Sequence, residues 1–291
     1  MEDFIISTDD TCDLPEEYIK ENGLNYIRMT YTLENKEYTG GPGSLKPHEF
    51  YDKMRNGAMP KTAQITPDGA YQSLEPFMEK GVDVLHFTFS SALSGTSDSY
   101  FIAAKQLEEK YPERKIIVVD TLSASLGEGL MVDCAVELKK QGKSMEEIRG
   151  YIEENKQKFL HYFTVDDLFH LHRGGRVSKM TAVLGSMLGI KPVLHVSSEG
   201  KLIPIAKARG RKKSLDMLVD KMVQRMDKDL CNKFFVSHGD CLGDAEYVAQ
   251  KVMERANITN YMINYIGPII GTHSGPGTVA LFFVGDSRTE N

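Results

Sequence analysis

Short apolar runs alternate with stretches of helical periodicity through the first half of the chain. Phe4-Ile5-Ile6-Ser7, Val82 to Phe89 and Lys115 to Val119 each predict a buried strand. Thr96 to Tyr111 predicts a helix, with Phe101, Ala104, Leu107 and Tyr111 on one face. Further helices are predicted near 126–141 and 145–158, the second capped by Ser144 with Glu147 three residues on. Asp13-Leu14-Pro15-Glu16 predicts another start, with Asp13 as cap, and Thr66-Pro67 a further one. Such alternation predicts a mostly parallel sheet covered on both faces, a three-layer α/β/α arrangement.

The second half carries a different pattern. His161 to Val165 predicts a strand, followed by a shaped turn at Arg173-Gly174-Gly175-Arg176 that a helix interior would not accept. Ile190 to Val196 and Leu202 to Ala206, joined through Ser198-Glu199-Gly200, predict a hairpin. A helix over 211–228, a strand over 232–237, a helix over 243–256 and strands over 260–266 and 278–284 complete the pattern. Hairpins mixed with crossovers predict a two-layer α/β unit with a mixed sheet. The expected organisation is two α/β domains, residues 1–158 and 159–291, packed closely because no Pro- or Gly-rich linker separates them.

Composition narrows the function classes. The chain has 291 residues, 35 Lys plus Arg against 41 Asp plus Glu, and a net charge of −6. That balance argues against a broad nucleic-acid-binding face. No apolar run reaches the ~20 residues that span a bilayer, and the acidic N-terminus Met1-Glu2-Asp3 shows no secretory pattern. The four cysteines, Cys12, Cys134, Cys231 and Cys241, are scattered, which fits a reduced cytoplasmic compartment. Neither a P-loop nor a Gly-x-Gly-x-x-Gly fingerprint is present, so no nucleotide cofactor is expected.

Candidate chemistry lies in hydroxyl-rich turns after strands, where α/β sheets bind ligands. These are Thr8-Asp9-Asp10-Thr11, Lys61-Thr62-Ala63-Gln64, Ser90 to Thr96, Asp120 to Ser125 and Gly271 to Gly277. Ser94-Gly95-Thr96 combines hydroxyls, a glycine N–H and a helix N-terminus, a set that either caps the helix or holds an anion. Ser94 with His273 as base, oriented by Asp120 or Asp9, is the serine-hydrolase alternative, although Ala92 and Thr96 stand where a nucleophile elbow needs glycine. His161, Asp166, Asp167, His170 and His172 lie close in sequence but match no metal motif, so no metal is expected. Basic residues gather at Arg173, Arg176 and Lys179, and again over Lys201 to Lys213. Met180, Met187 and Met217 are candidates for an adaptable apolar lining.

Taken in order, Thr8 to Pro15, Thr62 to Pro67, Ser90 to Thr96, Arg173 to Ser178, Gly189 to Pro192 and Gly271 to Gly277 resemble the DegV family of fatty-acid-binding proteins, nearly end to end. The resemblance implies a long-chain fatty acid in a buried tunnel between two α/β domains. It places the carboxylate at Thr62, Ser94 and Gly95 with His273 nearby, held by hydroxyls and an imidazole without a fixed cation. The family is similar to the binding subunits of bacterial fatty acid kinases. A separate ATP-dependent kinase is therefore an expected partner, docking at Arg173 and Arg209, with transient contact to a membrane surface. The chain itself would be a carrier rather than an enzyme. Asp10 stands where the family commonly has serine, adding a carboxylate beside the expected head group.

Overall fold

The computed structural model describes residues 4–40, 44–178 and 189–289. Strands β1 (Phe4–Asp9), β2 (Asn25–Ile27), β6 (Asp83–Thr88) and β7 (Ile116–Asp120) form a fully parallel sheet in the order β2-β1-β6-β7. Successive side chains leave opposite faces. Val84 therefore packs with Leu74 of α3 (Pro67–Glu79) and Tyr100 of α4 (Thr96–Lys110). Leu85 and Phe87 instead face Leu130 of α5 (Leu126–Lys140) and Ile148 of α6 (Met145–Asn155). Thr66 and Ser144 cap α3 and α6 as expected.

The second sheet runs β10-β9-β8-β13-β11-β12, built from β8 (Phe159–Thr164), β9 (Ile190–Val196), β10 (Leu202–Arg209), β11 (Phe234–His238), β12 (Tyr261–Tyr265) and β13 (Val279–Val284). Only β11 and β12 pair in parallel, so the sheet is mixed. Tyr162, Val236 and Leu281 face α8 (Arg211–Arg225) and α9 (Leu242–Ala256). Phe163, Phe235 and Phe282 face the other way, onto the core that α5 shares with the first sheet. Helix α5 thus lies between the two sheets, buried on both sides, and the layers run helix, sheet, helix, sheet, helix. Gly127 makes the close approach possible, because a Cβ there would sit 2.1 Å from His161 Cδ2.

A third, small sheet of β3 (Tyr31–Leu33), β4 (Lys36–Tyr38) and β5 (Lys61–Thr62), with helix α2 (Pro47–Arg55), was not anticipated from the pattern. It closes over the second half through Phe50, Tyr51 and Ile269, and through Asp240, which accepts from His48 and Arg55.

Three expectations are corrected. Asp13 does not cap α1 (Glu16–Glu21), which follows Pro15 with no side-chain cap. Its carboxylate is drawn away to the Gly267 N–H at 2.8 Å and to Ser125 Oγ at 2.5 Å. The 271–277 segment opens as a short helix, α10 (Pro268–Ser274), rather than as a turn alone. Met217 of α8 packs in the outer core between helices and sheet, away from any lining. Met180 and Met187 lie outside the described residues.

Candidate functional site

A cavity of about 810 Å³ opens between the loops that follow β6 and β7, the mixed sheet and the small sheet. That is within the usual range for small-molecule sites. Its inner wall is apolar and buried: Phe89, Phe163, Val196, Ala280 and Phe282 all face it. Its other end is polar and partly exposed, formed by Thr62, Gln64, Ser94, Arg173, Arg176 and His273.

Each polar residue is placed by a distinct local device. Thr62 ends β5, held in register with Tyr31. His273 sits in the last turn of α10, and Arg173 ends α7 (Phe169–Arg173). Gly174 follows as the C-cap, and a Cβ there would come within 2.2 Å of His273 Nδ1. Gly175, at φ 76°, then turns the chain into a left-handed conformation that suits glycine. Gly95 is needed for space too, since its Cβ would meet Gln64 Oε1 at 2.8 Å. Thr62 Oγ1 and His273 Nε2 lie 2.9 Å apart.

Burial, with Arg176 and Arg173 adding repulsion, lowers His273 to a pKa of about 4, so its imidazole is neutral at physiological pH. Arg173 and Arg176 bring two guanidinium groups to this end, and Lys61 lines the cavity beside Thr62. Arg176 donates to the Leu93 and Gly174 carbonyls, and Arg173 to the Thr272 carbonyl. No ion pair of either arginine with a carboxylate is found among the described residues. The hydroxyls and the imidazole expected to act without a fixed cation share the cavity lining with the basic residues Lys61, Arg173 and Arg176. Arg176 was visible in sequence as part of a glycine-shaped basic turn, but its direction required the fold.

Thr62, Ser94, Gly95 and His273 line one cavity, and Arg173 lines it with them. Arg209 does not; it is exposed at the end of β10. Asp10 is also absent from the lining, its carboxylate turned to the Met29 N–H at 3.1 Å. Ser94 Oγ bonds Thr96 Oγ1 at 3.1 Å and accepts from the Thr96 N–H, while His273 engages Thr62. Asp120 and Asp9 bond neighbouring backbone groups instead of His273. The arrangement lacks the serine–imidazole–carboxylate chain of a hydrolase.

The cavity is thus cationic and hydrogen-bonding at its open end and apolar within. The family model described as "Uncharacterised protein, DegV family" matches residues 3–286, and the chain belongs to that family. A DegV domain-containing protein of Clostridium perfringens, CPE0026, is 45% identical over 289 residues, covering 99% of each chain. A DegV family protein from Thermus thermophilus, whose structure is described as fatty acid binding, superposes with a TM-score of 0.86 at 28% identity, over 98% of this chain and 100% of that one. DegV of Bacillus subtilis, described as a fatty acid binding protein, gives 0.83 at 27% identity, over 98% and 100%.

Proposed function

We propose that this chain binds a long-chain fatty acid in the cavity, with the carboxylate at the Thr62, Ser94, Gly95 and His273 end and the tail against Phe163, Val196 and Phe282. The observation that carries the reading is the polarity of a single cavity, with two arginines at its exposed end and aromatic and aliphatic side chains at its buried end. The two structurally similar proteins described as fatty acid binding support it. Burying a 16-carbon tail is worth roughly 12 kcal/mol gross at ~0.8 kcal/mol per methylene, before ordering costs. The tail sets affinity and the head sets orientation.

In this reading the chain is a carrier, working in the cytoplasm with its thiols reduced. It presents the carboxylate to an ATP-dependent fatty acid kinase for acyl-phosphate formation and exchanges lipid during transient contact with a membrane surface. Exposed Arg209 serves kinase docking. Arg173 serves the ligand head, and docking once a kinase covers the open end.

Native mass spectrometry of the purified protein tests the core of the proposal: a long-chain fatty acid is expected to co-purify. A clean apo protein that ignores added palmitate and oleate would overturn it. Arg209→Ala is expected to spare binding and reduce turnover by a matching kinase, whereas Arg173→Ala weakens binding itself.

A further inference from the structure

The apolar wall of the cavity is interrupted by buried polar side chains. Thr278, immediately before β13, and Ala280 and Phe282 along it line the cavity. Ser237 of β11 is level with Ala280, and His161 of β8 is level with Phe282. Ser237 therefore lies one pleat inside Thr278, and strand spacing separates it from His161 by roughly 12 Å. Ser125, the residue before α5, faces it with 2.9 Å between the two Oγ atoms. Ser125 Oγ is also 2.5 Å from Asp13 Oδ2. Ser237 is fully buried, and Ser125 and Asp13 are 5% and 4% exposed.

This wall carries more hydrogen-bonding capacity than the protein uses. Ser125 has a single hydroxyl proton. When it is given to an ionised Asp13, Ser237 donates to Ser125 and turns only lone pairs to the cavity. When Asp13 is protonated the chain reverses, and Ser237 turns a proton to the cavity. In addition, His161 and Ser274 line the cavity and are 2% and 7% exposed, and neither ring nitrogen of His161 nor Ser274 Oγ has a hydrogen-bond partner among the described residues. An unsubstituted hydrocarbon tail satisfies none of these groups, and such groups are costly to leave unmet.

We infer that the cavity contains a polar subsite for a hydroxyl carried on the acyl chain, with Ser237, backed by Ser125 and Asp13, as its partner. The ligand class then includes hydroxylated fatty acids; this rests on the fatty-acid reading above. A carboxylate does not suit the place, because the Asp13 carboxyl lies directly behind Ser125, with Asp9 adding to the acidic surroundings. A ketone fits only the donating arrangement of Ser237, whereas a hydroxyl donates or accepts and fits both.

The test is a binding series: stearate and a set of hydroxystearates with the hydroxyl at different carbons, against the wild type and Ser237→Ala. The substitution removes one oxygen and leaves the backbone pairing of β11 intact. The expected result is a hydroxystearate that binds the wild type at least as tightly as stearate and loses about tenfold in Ser237→Ala, with stearate changed less than twofold. The inference is overturned if every hydroxystearate binds the wild type more weakly than stearate, or if Ser237→Ala shifts the best of them less than fivefold more than stearate. Failure of stearate itself to bind would instead overturn the fatty-acid reading, which separates the two outcomes.

Discussion

Thr62 and His273 are 211 residues apart in the chain, yet Thr62 Oγ1 lies 2.9 Å from His273 Nε2. The contact joins the small sheet to α10 across the open end of the cavity. It also fixes a ring that is neutral at physiological pH beside Arg173 and Arg176. Under the proposed function, Thr62→Val or His273→Ala removes one neutral hydrogen-bonding partner from the ligand head. An affinity loss of about 1 kcal/mol, near fivefold to tenfold, is expected for each. Fluorescent fatty acid displacement reads this directly, and wild-type affinity in both variants would refute the head-group assignment.

Gly174→Ala tests the placement of the same ring. The backbone at Gly174, φ −73°, accepts alanine, so the obstacle is steric: the new Cβ would lie 2.2 Å from His273 Nδ1. The ring is expected to leave Thr62, with an affinity loss matching that of His273→Ala. In a double-mutant cycle the second substitution should then add little. Additive losses would show that Gly174 acts elsewhere.

Asp13 gives a pH signature. Burial is the main cause that raises its carboxyl to about 7, with Asp9 adding to it and the bonds from Ser125 and Gly267 opposing it. In the unfolded chain the value is about 3.9. Between those values the folded protein holds a proton that the unfolded chain has released, so stability falls as pH rises through this window. Burying the charge costs nothing below about pH 4 and its full amount above about pH 7. Asp13→Asn is uncharged and escapes that cost. Its urea midpoint relative to wild type is expected to improve from pH 5 to pH 8, and a pH-independent difference would contradict the raised carboxyl. His273 acts with the opposite sign: its lowered value costs stability as pH falls from about 6.5 towards 4, in both proteins alike.

Arg288 is 1% exposed and serves as an internal clamp. It donates to the Phe159 carbonyl at 2.9 Å, to Ser123 Oγ at 2.7 Å and to the Leu122 carbonyl. These acceptors belong to the loop after β7 and to the first residue of β8. Arg288→Ala strands them without partners, at about 1–3 kcal/mol each. A fall in Tm of roughly 6–12 °C is expected, and Arg288→Lys should recover less than half of it, because an ammonium cannot reproduce the planar fork. A fall of under 2 °C in the alanine variant would contradict the clamp.

The large strands and helices were legible because each is long enough to show a period. Val82 to Phe89 and Thr96 to Tyr111 are found as β6 and α4 within a residue or two. Strands β3, β4 and β5 have three, three and two residues, too few for alternation to register. The missed helix α2 did carry a signal, Pro47 in its first turn and Glu49 bonded back to the Lys46 N–H. Asp13 was mistaken for a cap because its sequence neighbours, Pro15 and Glu16, suit one; its actual partners, Ser125 and Gly267, are more than a hundred residues away in sequence. Site residues on glycine-shaped turns were visible as candidates. Which of them converge was not, since Thr62, Ser94, Arg173 and His273 meet only through the packing of three sheets.

The position of α5 has a consequence for how the chain can be divided. Leu126, Leu130, Val132 and Val136 belong to a core that also contains Phe163, Phe235 and Phe282 from the second sheet. A fragment ending before β8 would expose one flank of this helix to water, and a fragment beginning there would expose the aromatic face that covers it. Neither piece is a self-sufficient folding unit, and unfolding is expected to be a single cooperative event. Limited proteolysis between the halves should therefore yield either intact chain or full digestion, with no long-lived intermediate.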